Sequence, residues 1–294
     1  MLNSTTALQQ FVSSLSDLND RQTRITQQMS SGLKMTSLGD DPVASGSAAS
    51  LANMLGQDQA FLSTATNVSN RMQTADTALG SVVSQLTSAI STATGALNGS
   101  YNDANRIAAA QSLAAIRDTI LSLANSNYGG TYLFAGTGTS VPFTADAGGN
   151  VTYSGNASAT SAALVTGGSI TTSVPGSSIF TAAGASVFDA LNQVITALQS
   201  PTAPTNSSVL LGNLSDALKN VTTQRSILNA SQARLSSESD YIRSQSANLQ
   251  AQQSSLLAAD VPTLATELTA VTTQRSALLS TIAVVQKGSL FDYL

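Results

Sequence analysis

Apolar residues recur three and four positions apart near both ends of this chain. Leu8, Phe11, Leu15, Leu18, Ile25 and Met29 keep that spacing, with polar Gln22 in one slot. Leu264, Leu268, Val271, Leu278, Ile282 and Val285 repeat it, with Arg275 in one slot. Such a repeat makes a narrow stripe on one side of a helix, and the stripe needs a partner helix to cover it. Two stripes at opposite ends predict that the ends pair. In an antiparallel pair, Leu8 faces Val285, Phe11 faces Ile282, Leu15 faces Leu278 and Leu18 faces Arg275. Gln22 then meets Val271, Ile25 meets Leu268 and Met29 meets Leu264. A shift by one heptad satisfies the same spacing.

The first helix is expected over 4–30, ended by Ser30-Ser31-Gly32. A connector leads to Asp40-Asp41-Pro42, which reads as a helix start: Asp caps free backbone N–H groups and Pro fits the first turn. A long helix over 42–98 carries Leu51, Leu55, Leu62, Met72, Leu79, Val83, Leu86 and Ile90 on its seam. A third helix, 102–126, turns Leu113, Ile116, Ile120 and Leu123 to one side. From 128 to about 184 the helical period disappears and Gly, Thr, Ser and Val take over, with short strands expected within 148–156 and 169–174. Helix returns over 187–199 and stops at Pro201 and Pro204. Leu214, Val221, Leu228, Leu235, Ile242, Leu249 and Leu256 then recur every seven residues. Their companion slots Arg225, Gln232, Ser239, Ser246 and Gln253 are polar. Asp260 and Pro262 interrupt before the last stripe begins.

These elements nest. The expected fold is mainly α: an elongated antiparallel helical bundle or coiled coil, both termini at one end, with a small β-rich insertion. Its parts are a terminal coiled coil (1–41 with 260–294), a long-helix rod (42–137 with 185–259) and the insertion (138–184).

Composition narrows the function. Aromatics are 4% and Trp is absent, which suits thin helical rods. Charged residues are 10%, against about 25% in ordinary proteins. A surface that sparse in charge predicts contact with neighbouring subunits. A net charge of −4 gives no footprint for nucleic acid. Without Cys or His, thiolate chemistry and the commonest general base are excluded. The first thirty residues show no Sec-type signal pattern and no run of about eighteen apolar residues exists, so no membrane insertion is expected. No cofactor or metal site is expected.

Other motifs yield to plainer readings. No basic region precedes the Leu214–Leu256 repeat, so it is a packing seam and not a DNA-binding zipper. Gly129-Gly130 and Gly136-x-Gly138 lack the Lys and the βαβ setting of a phosphate loop. Adjacent Asp40 and Asp41 beside Pro42 cap a helix more readily than they make an acid–base pair.

Several segments converge on one family. Gln27-Gln28-Met29-Ser30-Ser31-Gly32-Leu33-Lys34, followed by Gly39-Asp40-Asp41-Pro42-Val43-Ala44, resembles the N-terminal signature of bacterial flagellins and their junction relatives. Gly130-Thr131-Tyr132-Leu133-Phe134-Ala135-Gly136, with Pro142-Phe143 downstream, is similar to the G-x-Y-L-F-[AS]-G…P-F pattern of the hook–filament junction branch. Ser280-Thr281-Ile282-Ala283-Val284-Val285-Gln286 and the ending Phe291-Asp292-Tyr293-Leu294 resemble the same branch.

The resemblance implies a non-enzymatic structural part of the flagellum. Its terminal helices would form an inner tube, with about eleven copies closing a ring. The implied partners are itself, the other junction protein and flagellin, with an export chaperone on the C-terminal region before secretion. Export would be through the flagellar type III apparatus, to an extracellular place in the flagellum. The alternative is a filament flagellin, which shares the fold and propagates indefinitely; a distant one is an enzyme or adhesin seated in the insertion. Tyr132, Leu133 and Phe134 are expected to anchor the handover between helical layer and insertion.

Overall fold

The computed structural model describes residues 2–35, 39–99, 101–202 and 204–291. Among these, seven helices run α1 (Leu2–Ser31), α2 (Pro42–Leu97), α3 (Asp103–Ala124), α4 (Gly176–Phe180), α5 (Val187–Gln199), α6 (Ser207–Leu257) and α7 (Val261–Phe291). Six short strands lie between α3 and α4: β1 (Asn127–Tyr128), β2 (Thr131–Tyr132), β3 (Phe143–Ala145), β4 (Val151–Tyr153), β5 (Ser161–Ala163) and β6 (Ser169–Thr171). The chain is mainly α, as its periodicity predicts. It divides into two compact units, and the divisions fall inside α2 and α6.

The first unit comprises Met1–Gln59 and Ser244–Leu294. Here α1 packs against α7, and the two run antiparallel. A short backbone bridge closes the pair where Lys34 N–H donates to Leu257 O (2.7 Å) and Ala259 N–H to Gly32 O (2.9 Å). The first turns of α2 meet the last turns of α6 through polar contacts. Ser246 Oγ donates to Asp58 Oδ2 at 2.8 Å and Gln253 Nε2 to Ala48 O at 3.4 Å.

The second unit, Ala60–Arg243, holds the main core. The heptad positions Leu214, Val221, Leu228, Leu235 and Ile242 of α6 are all buried, as are Met72, Leu79 and Leu86 of α2. α3 packs on α5, burying Leu113 and Ile120 against Phe188, Leu191 and their neighbours. By length and composition α3 is apolar enough to span a bilayer, but its apolar side faces this core.

The strands form three antiparallel hairpins. β1–β2 turns through Gly129 and Gly130, both at positive φ (58° and 80°), the arrangement a two-residue hairpin turn requires. β3–β4 is closed by Asp146, whose carboxylate accepts from Asn150 N–H (2.8 Å) and Asn150 Nδ2 (2.9 Å). The tip of β5–β6 is tied to α6. Thr166 donates its backbone N–H and its hydroxyl to the two Glu238 carboxylate oxygens, each at 2.9 Å.

The expected strands within 148–156 and 169–174 correspond to β4 and β6. Their partners β3 and β5, the β1–β2 hairpin and α4 were not anticipated. Strands of two or three residues are too short to display a period of two.

A candidate assembly interface on the terminal helices

The pairing of α1 with α7 leaves a consistent stripe of lower exposure on each helix. Ile25 and Val271 are buried, 3% and 1% exposed. Phe11, Leu15, Leu18, Met29, Leu264, Leu268, Leu278 and Ile282 are half-buried. The side chains of Leu8 and Val285 lie outside the described residues, as does the Asp292-Tyr293-Leu294 ending. One helix covers only one side of its partner's stripe, so most stripe residues keep part of their surface in water. Around them Val12, Leu279 and Val284 are exposed, at 60%, 45% and 70%.

Polar groups set the pair's level along its axis. Arg21 Nε donates to Glu267 Oε1 at 2.9 Å, an ion pair the repeat alone did not reveal. Arg275 Nη1 donates to Gln22 Oε1 at 3.3 Å. These contacts join 21 to 267 and 22 to 275. They bracket the register derived from spacing by about one turn on either side, within reach of long side chains. The slots Gln22 and Arg275 thus also reach each other across the pair.

Both helix starts that border this pair are capped. Asp41 Oδ1 accepts from Ala44 N–H at 3.0 Å, with Pro42 as the first residue of α2. Asp40 precedes them and is exposed. Asp260 caps α7, accepting from Thr263 Oγ1 (2.7 Å) and Thr263 N–H (3.2 Å). The Thr263 hydroxyl, then its N–H, hold the Asp260 carboxyl below the usual carboxylate range. The sequence reading took Asp260 only as an interruption, although an Asp three residues before a Thr at a helix start is a capping pattern. Between these ends Gln28, Lys34, Leu256, Asp260 and Leu264 line an open cavity of about 490 Å³.

Away from the terminal helices, Leu133 and Phe134 are buried and Tyr132 is half-buried. Phe134 meets Phe180 edge-on at 5.5 Å, and Phe180 and Phe188 each contact Phe143. On α6, the companion slot Arg225 forks onto Asp76 of α2 through Nε–Oδ1 (2.6 Å) and Nη2–Oδ2 (3.1 Å). Arg225 holds the Asp76 carboxyl below its ordinary value against the opposing effect of burial, and Asp76 raises the guanidinium in turn. Gly80 of α2 lies under this fork, where a Cβ would touch the guanidinium at 3.4 Å. Gln232 Nε2 reaches Gln73 Oε1 at 3.1 Å. Four of the five polar slots thus find partners on α2, while Ser239 Oγ donates to Leu235 O of its own helix at 2.8 Å. Among the described residues, no three His, Cys, Asp or Glu side chains converge as metal ligands would.

The arrangement offers self-association chemistry: a half-covered apolar stripe, rimmed by exposed aliphatic residues and spaced by a few charges. Residues 2–139 match the bacterial flagellin N-terminal helical region, and 211–294 match the bacterial flagellin C-terminal helical region. The chain is 30% identical over 238 residues to flagellar hook-associated protein 3 of Salmonella typhimurium, covering 72% of this chain and 74% of that one. It is 30% identical over 124 residues to flagellar hook-associated protein 3 of Escherichia coli K12, covering 42% and 39%. In fold it is similar to a flagellar hook-associated protein from Vibrio parahaemolyticus, with a TM-score of 0.67 at 20% identity, covering 74% of this chain and 100% of that one.

Proposed function

The chain belongs to the flagellar hook-associated protein 3 family, and from that premise we propose that it is a structural part of the flagellum that joins hook to filament. The observation that carries the proposal is the half-covered α1–α7 stripe. A stripe buried on one side only is an incomplete core, and identical copies set side by side complete it. Copies close into a ring of about eleven, seated between the other junction protein and the first flagellin subunits. Before export, a chaperone covers the C-terminal region, and the chain leaves through the flagellar type III channel. The filament-flagellin reading is disfavoured by the Tyr132-Leu133-Phe134-Ala135-Gly136 segment and by the curated relatives the chain matches.

A deletion strain tests the proposal. Loss of this protein is expected to leave hooks without filaments and flagellin spilled into the medium. Filaments of normal number and length in that strain would remove the junction role.

A further inference from the structure

Arg275 occupies an otherwise apolar row of α7, and among the described residues it joins no ion pair. Among the described residues it donates across the helix pair to a neutral amide oxygen at 3.3 Å, and its Nε is buried without an acceptor. Glu267, the acid two turns away on the same helix, is engaged by Arg21. A guanidinium stays charged at any physiological pH, and one drawn out of water without an anion destabilises the site that holds it.

The complementary group sits on the other side of the same helix pair. The stripe positions Leu15, Leu18, Gln22 and Ile25 define the side of α1 that faces α7. At 3.6 residues per turn, Asp20 lies about 180° around α1 from the centre of that side. Asp20 is exposed, and among the described residues it joins no ion pair. Arg24, one turn further along α1, is its local competitor, but exposed pairs at that spacing are weak. Each α1–α7 pair thus carries a cation lacking an anion within its groove and an anion lacking a cation on its back.

A ring closed by rotation joins unlike faces: the front of one copy meets the back of the next. We propose that Asp20 of one copy supplies the carboxylate that Arg275 of the adjacent copy lacks. The inference rests on the ring reading above and gives that ring a direction. A front-to-front contact would bring two Arg275 side chains together, and a back-to-back contact two Asp20 side chains. Both are repelled, so one ion pair both attracts the right neighbour and rejects a two-fold dimer.

Charge exchange in a strain lacking its own copy tests the proposal with the full chain. The parent restores filaments. Arg275→Glu or Asp20→Arg alone is expected to lower the number of attached filaments about tenfold or more, while export of the variant into the medium is unchanged. The double variant Asp20→Arg with Arg275→Glu is expected to return the count to within about twofold of the parent. Asp17→Arg, on the flank of α1, is expected not to rescue Arg275→Glu. The pair is overturned if Arg275→Glu builds filaments as the parent does, if the double variant is no better than the single ones, or if Asp17→Arg rescues. A parent chain that restores no filaments overturns the ring reading itself, and the pair with it.

Discussion

Phe134 stands where three short segments meet. Its backbone oxygen accepts from Gly176 N–H (2.8 Å) and Tyr153 OH (3.1 Å), and its ring is buried among other phenylalanines. Four of the seven Phe residues lie in this one cluster, so the aromatic poverty of the chain is local, not uniform. Removing the ring leaves a cavity that short hairpins cannot collapse to fill. Phe134→Ala is expected to cost about 3–5 kcal/mol; a melting temperature equal to the parent's would exclude the anchoring role. Asp76 makes a different kind of prediction, in pH. Its carboxyl titrates lower in the folded chain than the ordinary Asp value of about 3.9. A carboxylate with a depressed folded value adds stability above the unfolded value and loses it as pH falls through the folded one. Asp76→Asn is therefore expected to cost about 1 kcal/mol at neutral pH, between surface and buried pairs because Arg225 is partly exposed. The gap to the parent should close below about pH 4. Melting curves at several pH values check this, and a gap that persists into acid would contradict it.

At the scale of elements, helix and strand differ in how openly the sequence declares them. α5 begins and ends where periodicity and the two prolines place it, because thirteen residues show several turns of one apolar face. α2 begins at Pro42 because Asp41 offers its carboxylate to the first free N–H groups. Asp41→Ala is expected to cost the first unit about 1 kcal/mol and to speed amide exchange at Ala44 above all; unchanged exchange there would show that the cap is idle. The hairpins were less legible. β5 reads Ser-Ala-Ala and has no strand character of its own. It exists because β6 pairs with it and because Glu238, 24 residues past the start of the α6 heptads, holds the hairpin tip by Thr166. Glu238→Ala should loosen that tip, seen as faster exchange at the amides of β5 and β6 and at Thr166. A hairpin exchanging at the parent's rate would mean that pairing alone suffices.

At the scale of the whole molecule, the proposed function rests on the ends. Stripes interrupted by Gln22 and Arg275 are marginal as a lone pair and gain most from neighbours. The chain has no Cys, so cysteines placed at 11 and 282 report on the pairing without interference. They are expected to cross-link in assembled flagella; a pair that never cross-links there would exclude the proposed register. The sequence by itself determined the helices, their apolar sides and the pairing of the ends, because a helical period repeats often enough to be read locally. It also carried the family, through segments at turns and termini. Tertiary structure decided what fills the polar slots. Asp76 answers Arg225 from 149 positions away, and Glu267 answers Arg21 from 246. Which charge finds a partner depends on where two helices cross, and no local spacing encodes that. The same physics singles out Arg275 as the stripe cation left without an ion pair among the described residues.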